Sequence, residues 1–297
     1  MSQIIAILGP TGVGKTKLSL VLAKQLNAEI ISCDSMQFYR GLDIGTAKIK
    51  ESEREGIKHH LIDILDPDEE FSVAKYQEIV RKKITELFNK NIPVILVGGS
   101  GLYISSVLYD YRFIGDKHSS KTEEKYKNYS LLELEILLRE LSPELADDTD
   151  LKNRRRVLRS LEKVNLDFKR TADNLYYKNA ILIGLDMKRE LLYKRIDLRV
   201  EEMFNKGLLE EVKELYEKYP LAQSSKAIGY KELFKYFTSE ITISEAKEEI
   251  KRNSRRYAKR QLTWFRNKMN CIWFNVDSSN FDNTINEIIN YIQKQKK

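Results

Sequence analysis

The chain has 297 residues, of which 42% are hydrophobic and 32% charged, and it carries a formal net charge of +7 with a sequence pI near 9.0. This composition is typical of a soluble globular protein, and no apolar run approaches the ~20 residues of a membrane span. Two cysteines and three histidines exclude a disulfide framework or a zinc finger and predict a cytoplasmic protein, while the basic balance indicates a polyanionic partner.

The first third of the chain alternates apolar runs with helical patterns. Short apolar runs bounded by glycine, proline or polar residues predict buried strands, and apolar residues at helical spacing predict helices between them. This alternation predicts a parallel sheet flanked by helices. The predicted strands are Ile4–Leu8, Glu29–Ser32, Leu61–Leu65 and Pro93–Val97, and the predicted helices are Lys15–Leu26 and Ser72–Asn91, the latter with Ser72 as its N-cap.

A polar, lysine-rich and helix-prone segment at 113–177 interrupts the alternation and contains no convincing buried strand. The strand pattern resumes at Ala180–Asp186, which places the segment between two strands of one core. We therefore predict an α/β fold in which residues 1–112 and 178–297 form a parallel sheet core flanked by helices, and 113–177 form a helical insertion domain. Two further predicted elements are a late strand at Ile272–Phe274 and a closing helix at Phe281–Ile292.

The first predicted strand leads directly into GPTGVGKT, which matches the phosphate-binding loop G-x-x-x-x-G-K-[ST] in its strand–loop–helix context. Its glycines let backbone N–H groups converge on a phosphate beside the positive end of the helix dipole. Lys15 supplies a charge for phosphate oxygens, and the Thr16 hydroxyl can bind Mg²⁺. The motif predicts a P-loop NTPase-like core that binds a di- or triphosphate. Its residues are Gly9, Pro10, Thr11, Gly12, Val13, Gly14, Lys15 and Thr16.

Asp34 follows the second predicted strand, at the sheet edge where doubly wound folds bind ligands. Its carboxylate is interpreted as a Mg²⁺ ligand through water, as a proton acceptor, or as a cap of the local turn. The polar segment that follows, up to Lys48, is typical of a substrate-binding loop. Ser100 lies at another strand–loop–helix junction, GGSGLY, which is either part of the site or an ordinary turn.

Arg195 and Arg199 lie four residues apart on the helix predicted after Asp186, so they share one helix face. Two guanidinium groups near the sheet edge suit a phosphate clamp. The alternative is an exposed basic face paired with nearby acids.

Two basic clusters lie outside these motifs. Lys152–Arg159 has five cations in eight residues, and Lys251–Lys268 has eight cations and no acid. A solvated helix usually mixes charges of both signs, so a basic stripe with interleaved aromatic residues favours nucleic acid over a solvated face. The candidate contacts are Arg155, Arg156 and Arg159 in the first cluster and Arg255, Arg256, Lys259 and Arg260 in the second.

Taken together, these motifs resemble the tRNA dimethylallyltransferase family, also called tRNA isopentenyltransferases, of bacterial type. The matching segments extend from Gly9 to Arg266. DSMQFYRGLDIGTAK is the most specific of them, and GGSGLYI, RRRVLRSLE, AIGYKEL and KRQLTWFR match as well. Departures are small: Ser100 stands where the family usually has Thr, which keeps the hydroxyl.

The resemblance implies transfer of a dimethylallyl group from dimethylallyl diphosphate to N6 of the adenosine 3′-adjacent to the tRNA anticodon, which gives N6-isopentenyladenosine. Asp34 would act as the general base, while Thr16 with Mg²⁺ and Arg199 would stabilise the leaving diphosphate. The basic clusters would hold the anticodon stem-loop, and neither a membrane nor an obligate protein partner is expected. The residues expected to contact the flipped base are Asp34, Ser35, Met36, Gln37 and Ser100.

Other functions fit parts of the sequence. A P-loop nucleotide kinase shares the phosphate loop and the arginine helix but gives no role to the basic stripe. A free-AMP isopentenyltransferase shares the chemistry but lacks the extended RNA-binding regions. A non-enzymatic RNA-binding NTPase module needs a metal-binding Asp at the end of an apolar strand, and only Asp186 stands at such a position.

Overall fold

The computed structural model of the protein describes residues 3–111, 113, 120–164 and 174–295. The chain forms two compact units. Met1–Leu108 and Tyr176–Lys297 make up the first unit, and Tyr109–Leu175 makes up the second. The second unit overlaps the segment 113–177 that was predicted as an insertion.

The first unit is built on a parallel sheet of six strands in its described part. The strands are β1 (Ile4–Leu8), β2 (Glu29–Ser32), β3 (His59–His60), β4 (Val94–Val97), β5 (Ile181–Asp186) and β6 (Ile272–Asn275). Their order is β3-β2-β4-β1-β5-β6, and every pair is parallel. All residues of the central β1 are buried, as expected for a parallel strand covered on both faces. The predicted α/β fold with a parallel sheet is confirmed.

The third strand differs from the prediction. Pairing with β2 involves only His59–His60, so the predicted strand at Leu61–Leu65 is wrong. Leu61 and Asp63 adopt left-handed backbone conformations, with φ of 61° and 56°, which interrupt the extended chain. The apolar character of LIDIL has another cause, because Leu61 and Leu65 are buried from an irregular loop.

The helices begin and end close to the predicted positions. The Ser72 side chain accepts the N–H of Lys75 at 3.1 Å, which confirms the predicted N-cap. The described residues form the helices α1 (Lys15–Leu26), α2 (Val73–Asn89), α3 (Gly101–Leu108), α4 (Ser120–Lys125), α5 (Leu131–Leu141), α6 (Pro143–Asp147), α7 (Arg154–Val164), α8 (Arg189–Asn205), α9 (Leu208–Lys218), α10 (Tyr230–Phe237), α11 (Ile243–Lys268) and α12 (Phe281–Lys294).

A hydrophobic core in the first unit packs β1 and β5 against α1, α8 and α12. Ile5 and Ile7 on β1 meet Leu18 on α1 and Ile196 on α8 within this cluster. Burial of such large aliphatic side chains contributes about 1.5–3 kcal/mol each. The core thereby fixes α1 and α8 beside the carboxyl end of β1, where the phosphate loop begins.

The second unit contains α4–α7 and has its own small core. Leucine and valine side chains of α5 and α7 form most of it, as predicted for a helical segment. An isolated bridge between Tyr109 and Leu175 is the strand-type pairing that its described residues show. The core residues of α5 and α7 are Leu134, Leu138, Val157, Leu158 and Leu161.

Candidate active site

The phosphate loop joins β1 to α1 through backbone that requires glycine. Gly14, the N-cap of α1, has a φ of 111°. A Cβ on Gly9 would lie 2.6 Å from the carbonyl oxygen of Leu185 on β5. No side chain caps α1 and no acid lies in its first turn, so the N–H groups and the dipole at this end can serve an anion.

Lys15 folds back onto the phosphate loop. Its Nζ donates to the carbonyl oxygens of Gly9 at 3.0 Å and Pro10 at 2.8 Å. Burial lowers the pKa of Lys15 to about 8, the Asp34 carboxylate opposes this shift, and the Arg199 guanidinium adds to it. Lys15, Asp34 and Arg199 therefore belong to one electrostatic group at the loop, and an anionic ligand would stabilise the charged ammonium.

Asp34 lies directly after β2 in a tight turn. Its Oδ1 accepts the N–H of Met36 at 3.1 Å, and its other carboxylate oxygen makes no hydrogen bond within the described residues. Burial raises the pKa of Asp34, while the Met36 hydrogen bond and the charges of Lys15 and Arg199 lower it. The capping and proton-acceptor interpretations are compatible, because they use different oxygens of the same carboxylate.

Arg199 reaches the phosphate loop from α8. Its Nη1 donates to Oγ1 of Thr11 at 3.0 Å. Burial lowers the pKa of Arg199, and the carboxylates of Asp34 and Glu202 raise it. Arg195, one turn earlier, is exposed and has no hydrogen-bond or ion-pair partner in the described part of the chain. Only one of the two arginines predicted as a clamp is therefore brought to the loop.

The turn after Asp34 meets the GGSGLY junction. The N–H of Ser35 donates to Oγ of Ser100 at 3.3 Å, and the two hydroxyl oxygens lie 3.4 Å apart. Because Met36 is hydrogen-bonded to Asp34, four of the five residues predicted to contact a base form one cluster at the sheet edge.

Helix α11 adds two polar side chains that sequence reasoning did not assign to the site. The buried Gln261 accepts the N–H of Thr11 at 2.9 Å and donates to the carbonyl oxygen of Gly99 at 2.9 Å. Burial raises the pKa of the nearby Tyr257 hydroxyl to about 12, and the side chains of Ser100 and Gln261 oppose this shift. A Cβ on Gly99 would lie 2.1 Å from Nε2 of Gln261, so this glycine admits a helix side chain. The spacing of four residues between Tyr257 and Gln261 inside a basic helix was the sequence signal that could have assigned them to the site.

A third residue missed by sequence reasoning is Glu211 on α9. Its carboxylate accepts three consecutive backbone N–H groups of the loop at 42–48, which belongs to the predicted substrate-binding segment. The hydroxyl of the buried Tyr230 donates to the same carboxylate at 2.6 Å. The three N–H groups belong to Asp43 (2.9 Å), Ile44 (2.7 Å) and Gly45 (3.0 Å).

Gln37, the fifth residue predicted to contact a base, is tied to the loop that Glu211 holds. Its Nε2 donates to the carbonyl oxygen of Thr46 at 3.3 Å, and its Oε1 accepts the hydroxyl of Ser32 at 3.3 Å. The position of its amide therefore depends both on the end of β2 and on the loop at 42–48.

We expect Glu211→Gln to lower the free energy of unfolding by about 1–3 kcal/mol, because an amide N–H group would replace an acceptor oxygen opposite the loop N–H groups. Urea denaturation measures this change. Glu210→Gln is the matched control, since Glu210 is the exposed neighbour on α9. Equal stability of the two variants would contradict a role of Glu211 in holding the loop.

The cations of the second basic cluster differ in their partners. Arg255 forms an ion pair with Asp197 of α8 at 2.5 Å. Arg256, Lys259 and Arg260 are exposed and make no ion pair with any described residue. Arg255 therefore differs from the other three predicted contacts, because Asp197 balances its charge, whereas the other three cations are exposed to solvent.

The first basic cluster lies on α7 of the second unit. Arg155 is exposed. Arg156 pairs with Asp150 at 3.0 Å, and Arg159 pairs with Glu162 at 2.9 Å. The Arg156–Asp150 pair is exposed, and pairs of this kind contribute about 0–1 kcal/mol, whereas Arg159 and Glu162 are half-buried.

Asp186, the candidate metal ligand of an NTPase module, already has a hydrogen-bond partner and an ion-pair partner. Its Oδ1 accepts the N–H of Met187 at 2.8 Å, and its Oδ2 pairs with Arg266 of α11. No cluster of three or more acidic, histidine or cysteine side chains that could hold a metal occurs in the described ranges. Within the same ranges, no helix has both the length and the apolar character of a membrane span.

Comparison with known proteins matches the chain to one family of transferases, by a family model and by individual relatives. The IPP transferase family model matches residues 37–268. A tRNA dimethylallyltransferase of Bacillus subtilis is 51% identical over 284 residues, which cover 92% of this chain and 90% of that protein. One from Anoxybacillus flavithermus is 47% identical over 299 residues, which cover 98% and 96%.

Solved structures agree with the sequence comparisons. A full-length tRNA isopentenylpyrophosphate transferase from Bacillus halodurans is 44% identical with a TM-score of 0.78, and the match covers 99% of this chain and 97% of that one. A eukaryotic dimethylallyltransferase acting on tRNA is 28% identical with a TM-score of 0.86, over 97% and 78% of the two chains. The chain therefore belongs to the IPP transferase family, as the resemblance of its motifs predicted.

Proposed function

We propose that the chain transfers the dimethylallyl group of dimethylallyl diphosphate to N6 of the adenosine 3′-adjacent to the tRNA anticodon. One observation carries the proposal: the half-buried carboxylate of Asp34 interacts electrostatically with Lys15 and Arg199 at a phosphate loop. Relatives that are 51% and 47% identical to this chain are named tRNA dimethylallyltransferase, which supports the proposal.

In this reaction N6 forms a bond to the first carbon of the dimethylallyl group, and the bond from that carbon to the diphosphate oxygen breaks. The electron pair of the broken bond leaves on the diphosphate, and N6 loses one proton. Asp34 accepts that proton through the carboxylate oxygen that is not bonded to Met36. Its raised pKa makes it a stronger base than an exposed Asp.

The leaving diphosphate gains negative charge as the bond breaks. Lys15, Arg199 and the N–H groups at the start of α1 supply compensating positive charge. Because Arg199 is hydrogen-bonded to Thr11, its guanidinium is placed before the substrate binds. Such preorganised charges act most strongly in a site that excludes water.

The residues at the loop fit a Mg²⁺ ion held mainly by diphosphate oxygens and water. Thr16 is exposed at the start of α1, and its hydroxyl has no hydrogen-bond partner within the described residues. Mg²⁺ in such sites typically takes one or two protein oxygens and completes its shell with phosphate and water. Thr16 would hold the ion, which when bound supplies positive charge to the diphosphate.

The acceptor adenosine must leave the anticodon-loop stack to reach a half-buried carboxylate. The cluster of Asp34, Ser35, Met36 and Ser100 offers hydrogen-bonding groups for its edge, with Gln37 nearby in sequence. Exposed cations are suited to the RNA backbone. These cations are Arg155 on α7 and Arg256, Lys259 and Arg260 on α11.

Labelled dimethylallyl diphosphate tests the proposal directly. The purified chain with Mg²⁺ is given unmodified tRNA, AMP or ATP, and the label is followed into each acceptor. We expect label in tRNA alone. Label in AMP alone would indicate a free-AMP isopentenyltransferase, and phosphoryl transfer from ATP without any label would indicate a kinase.

The pH dependence of kcat/KM depends on Asp34, which must be ionised to accept a proton. As the pH falls, protonation of Asp34 should reduce activity and produce an acid limb in the pH profile. Because burial raises the pKa of Asp34, we expect this limb to lie above the ordinary Asp value of about 4. Arg199→Gln removes a charge that lowers the pKa of Asp34, so the acid limb should move to higher pH. The exposed Arg195 on the same helix gives the control Arg195→Gln, which should leave the limb in place; a limb that moves to lower pH in Arg199→Gln would contradict the assignment.

A further inference from the structure

A row of four cations on α11 faces α8, and its last member has no acidic partner among the described residues. Lys247, Lys251, Arg255 and Lys259 are spaced four residues apart, so they lie on one face of the helix. Acids of α8 balance the first three. These ion pairs are Lys247–Glu201 (2.8 Å), Lys251–Glu201 (2.7 Å) and Arg255–Asp197 (2.5 Å).

Opposite Lys259 the series of acids on α8 ends. Tyr193 stands one turn before Asp197, and Arg189 stands one turn before Tyr193. Nε of Arg189 donates to the Tyr193 hydroxyl at 3.0 Å, and its guanidinium lies 5.2 Å from the ring centre. Neither Lys259 nor Arg189 makes an ion pair within the described part of the chain. Glu190 is exposed beside Arg189 and pairs with neither cation within these residues, so this end of the two helices carries an excess of positive charge.

Lys259 and Arg189 line a cavity of about 540 Å³. Its charged lining consists of three cations and one carboxylate, and that carboxylate, Asp186, is already paired with Arg266. Apolar side chains of α8 and α11 form part of the wall. Like charges beside a partly apolar wall are unfavourable without a counter-ion, so the cavity is suited to an anion.

We propose that this cavity binds the phosphate backbone of consecutive nucleotides of the tRNA substrate through Lys259 and Arg189, an inference that rests on the proposed function. The polar lining continues along α11 as Lys259, Thr263 and Asn267, roughly 12 Å at 1.5 Å per residue. This length exceeds one phosphate group and suits consecutive nucleotides, and Tyr193 adds an aromatic surface of the kind that RNA-binding sites use. Arg189, which lies outside both basic clusters, thus replaces the paired Arg255 as an RNA contact.

The test is the affinity for unmodified tRNA across a salt series, measured with the full chain. Lys259→Gln and Arg189→Gln should each weaken binding by about threefold to tenfold at moderate salt and reduce the slope of log K against log salt by about 0.7–0.9. Lys247→Gln is the matched control on the same helix. Its slope should equal that of the wild type, because Glu201 already balances the charge of Lys247.

Binding of inorganic diphosphate, measured in parallel, distinguishes RNA from a small anion. We expect its affinity to be unchanged in both cavity variants, because the phosphate loop is intact. Wild-type slopes in both variants would overturn the proposal, as would weaker diphosphate binding with unchanged tRNA slopes. These binding measurements need no turnover, so a wild-type protein that binds tRNA but transfers no label would refute the proposed function and not the phosphate site.

Discussion

Asp34→Asn is expected to lower kcat for transfer to tRNA by about 10²–10⁴-fold, the usual contribution of a general base. The amide keeps an oxygen that can accept the N–H of Met36, so the turn is preserved, but it cannot take the proton from N6. Single-turnover assays at saturating tRNA measure the chemical step.

Two binding measurements serve as controls for this variant. Affinities for tRNA and for an unreactive analogue of dimethylallyl diphosphate should stay within about threefold of the wild type, because the lost step is chemical. Near-normal turnover of Asp34→Asn at saturating tRNA would refute the general-base role.

Lys15→Ala is expected to weaken binding of the same unreactive analogue by about tenfold to hundredfold, because one charge-assisted contact to the diphosphate is lost. Calorimetry with Mg²⁺ present measures the affinity. Lys17→Ala is the matched control two residues away. Lys17 is exposed and pairs with Asp282 at 2.7 Å, so its removal should leave the affinity unchanged. Unchanged analogue affinity with lost ATP affinity in Lys15→Ala would favour the kinase alternative.

The fold and the phosphate loop could be predicted because their causes are local in sequence. The apolar run at Ile4–Leu8 reflects burial on both faces of a parallel sheet. The loop from Gly9 to Thr16 encodes its own geometry, since its glycines permit the positive φ values that the turn needs. The strand prediction at Leu61–Leu65 was wrong because an apolar segment indicates burial and does not exclude left-handed backbone within it.

The rest of the site depends on partners that are distant in sequence. Gln261 contacts Thr11 across 250 residues, and Glu211 holds Gly45 across 166 residues. No local pattern identifies the partners of such contacts, because the partner lies in a distant part of the sequence. Their roles follow only once the sheet order has brought α9 and α11 to the same edge.

Charge poses a related problem. The sequence shows that Arg255 and Lys259 lie on one helix face, but not that Asp197 neutralises the first and no acid within the described residues neutralises the second. Net charge in a window therefore overstates the positive surface that a polyanion can contact. The distinction between a structural cation and a binding cation requires the neighbouring helix.

The most direct measurement compares two tRNA transcripts that differ only in the nucleotide 3′-adjacent to the anticodon, adenosine in one and guanosine in the other. With labelled dimethylallyl diphosphate and Mg²⁺, we expect label to enter only the adenosine transcript and to be recovered as N6-isopentenyladenosine after nuclease digestion. Equal labelling of both transcripts, or labelling of neither while AMP is modified, would contradict transfer to N6 of that adenosine.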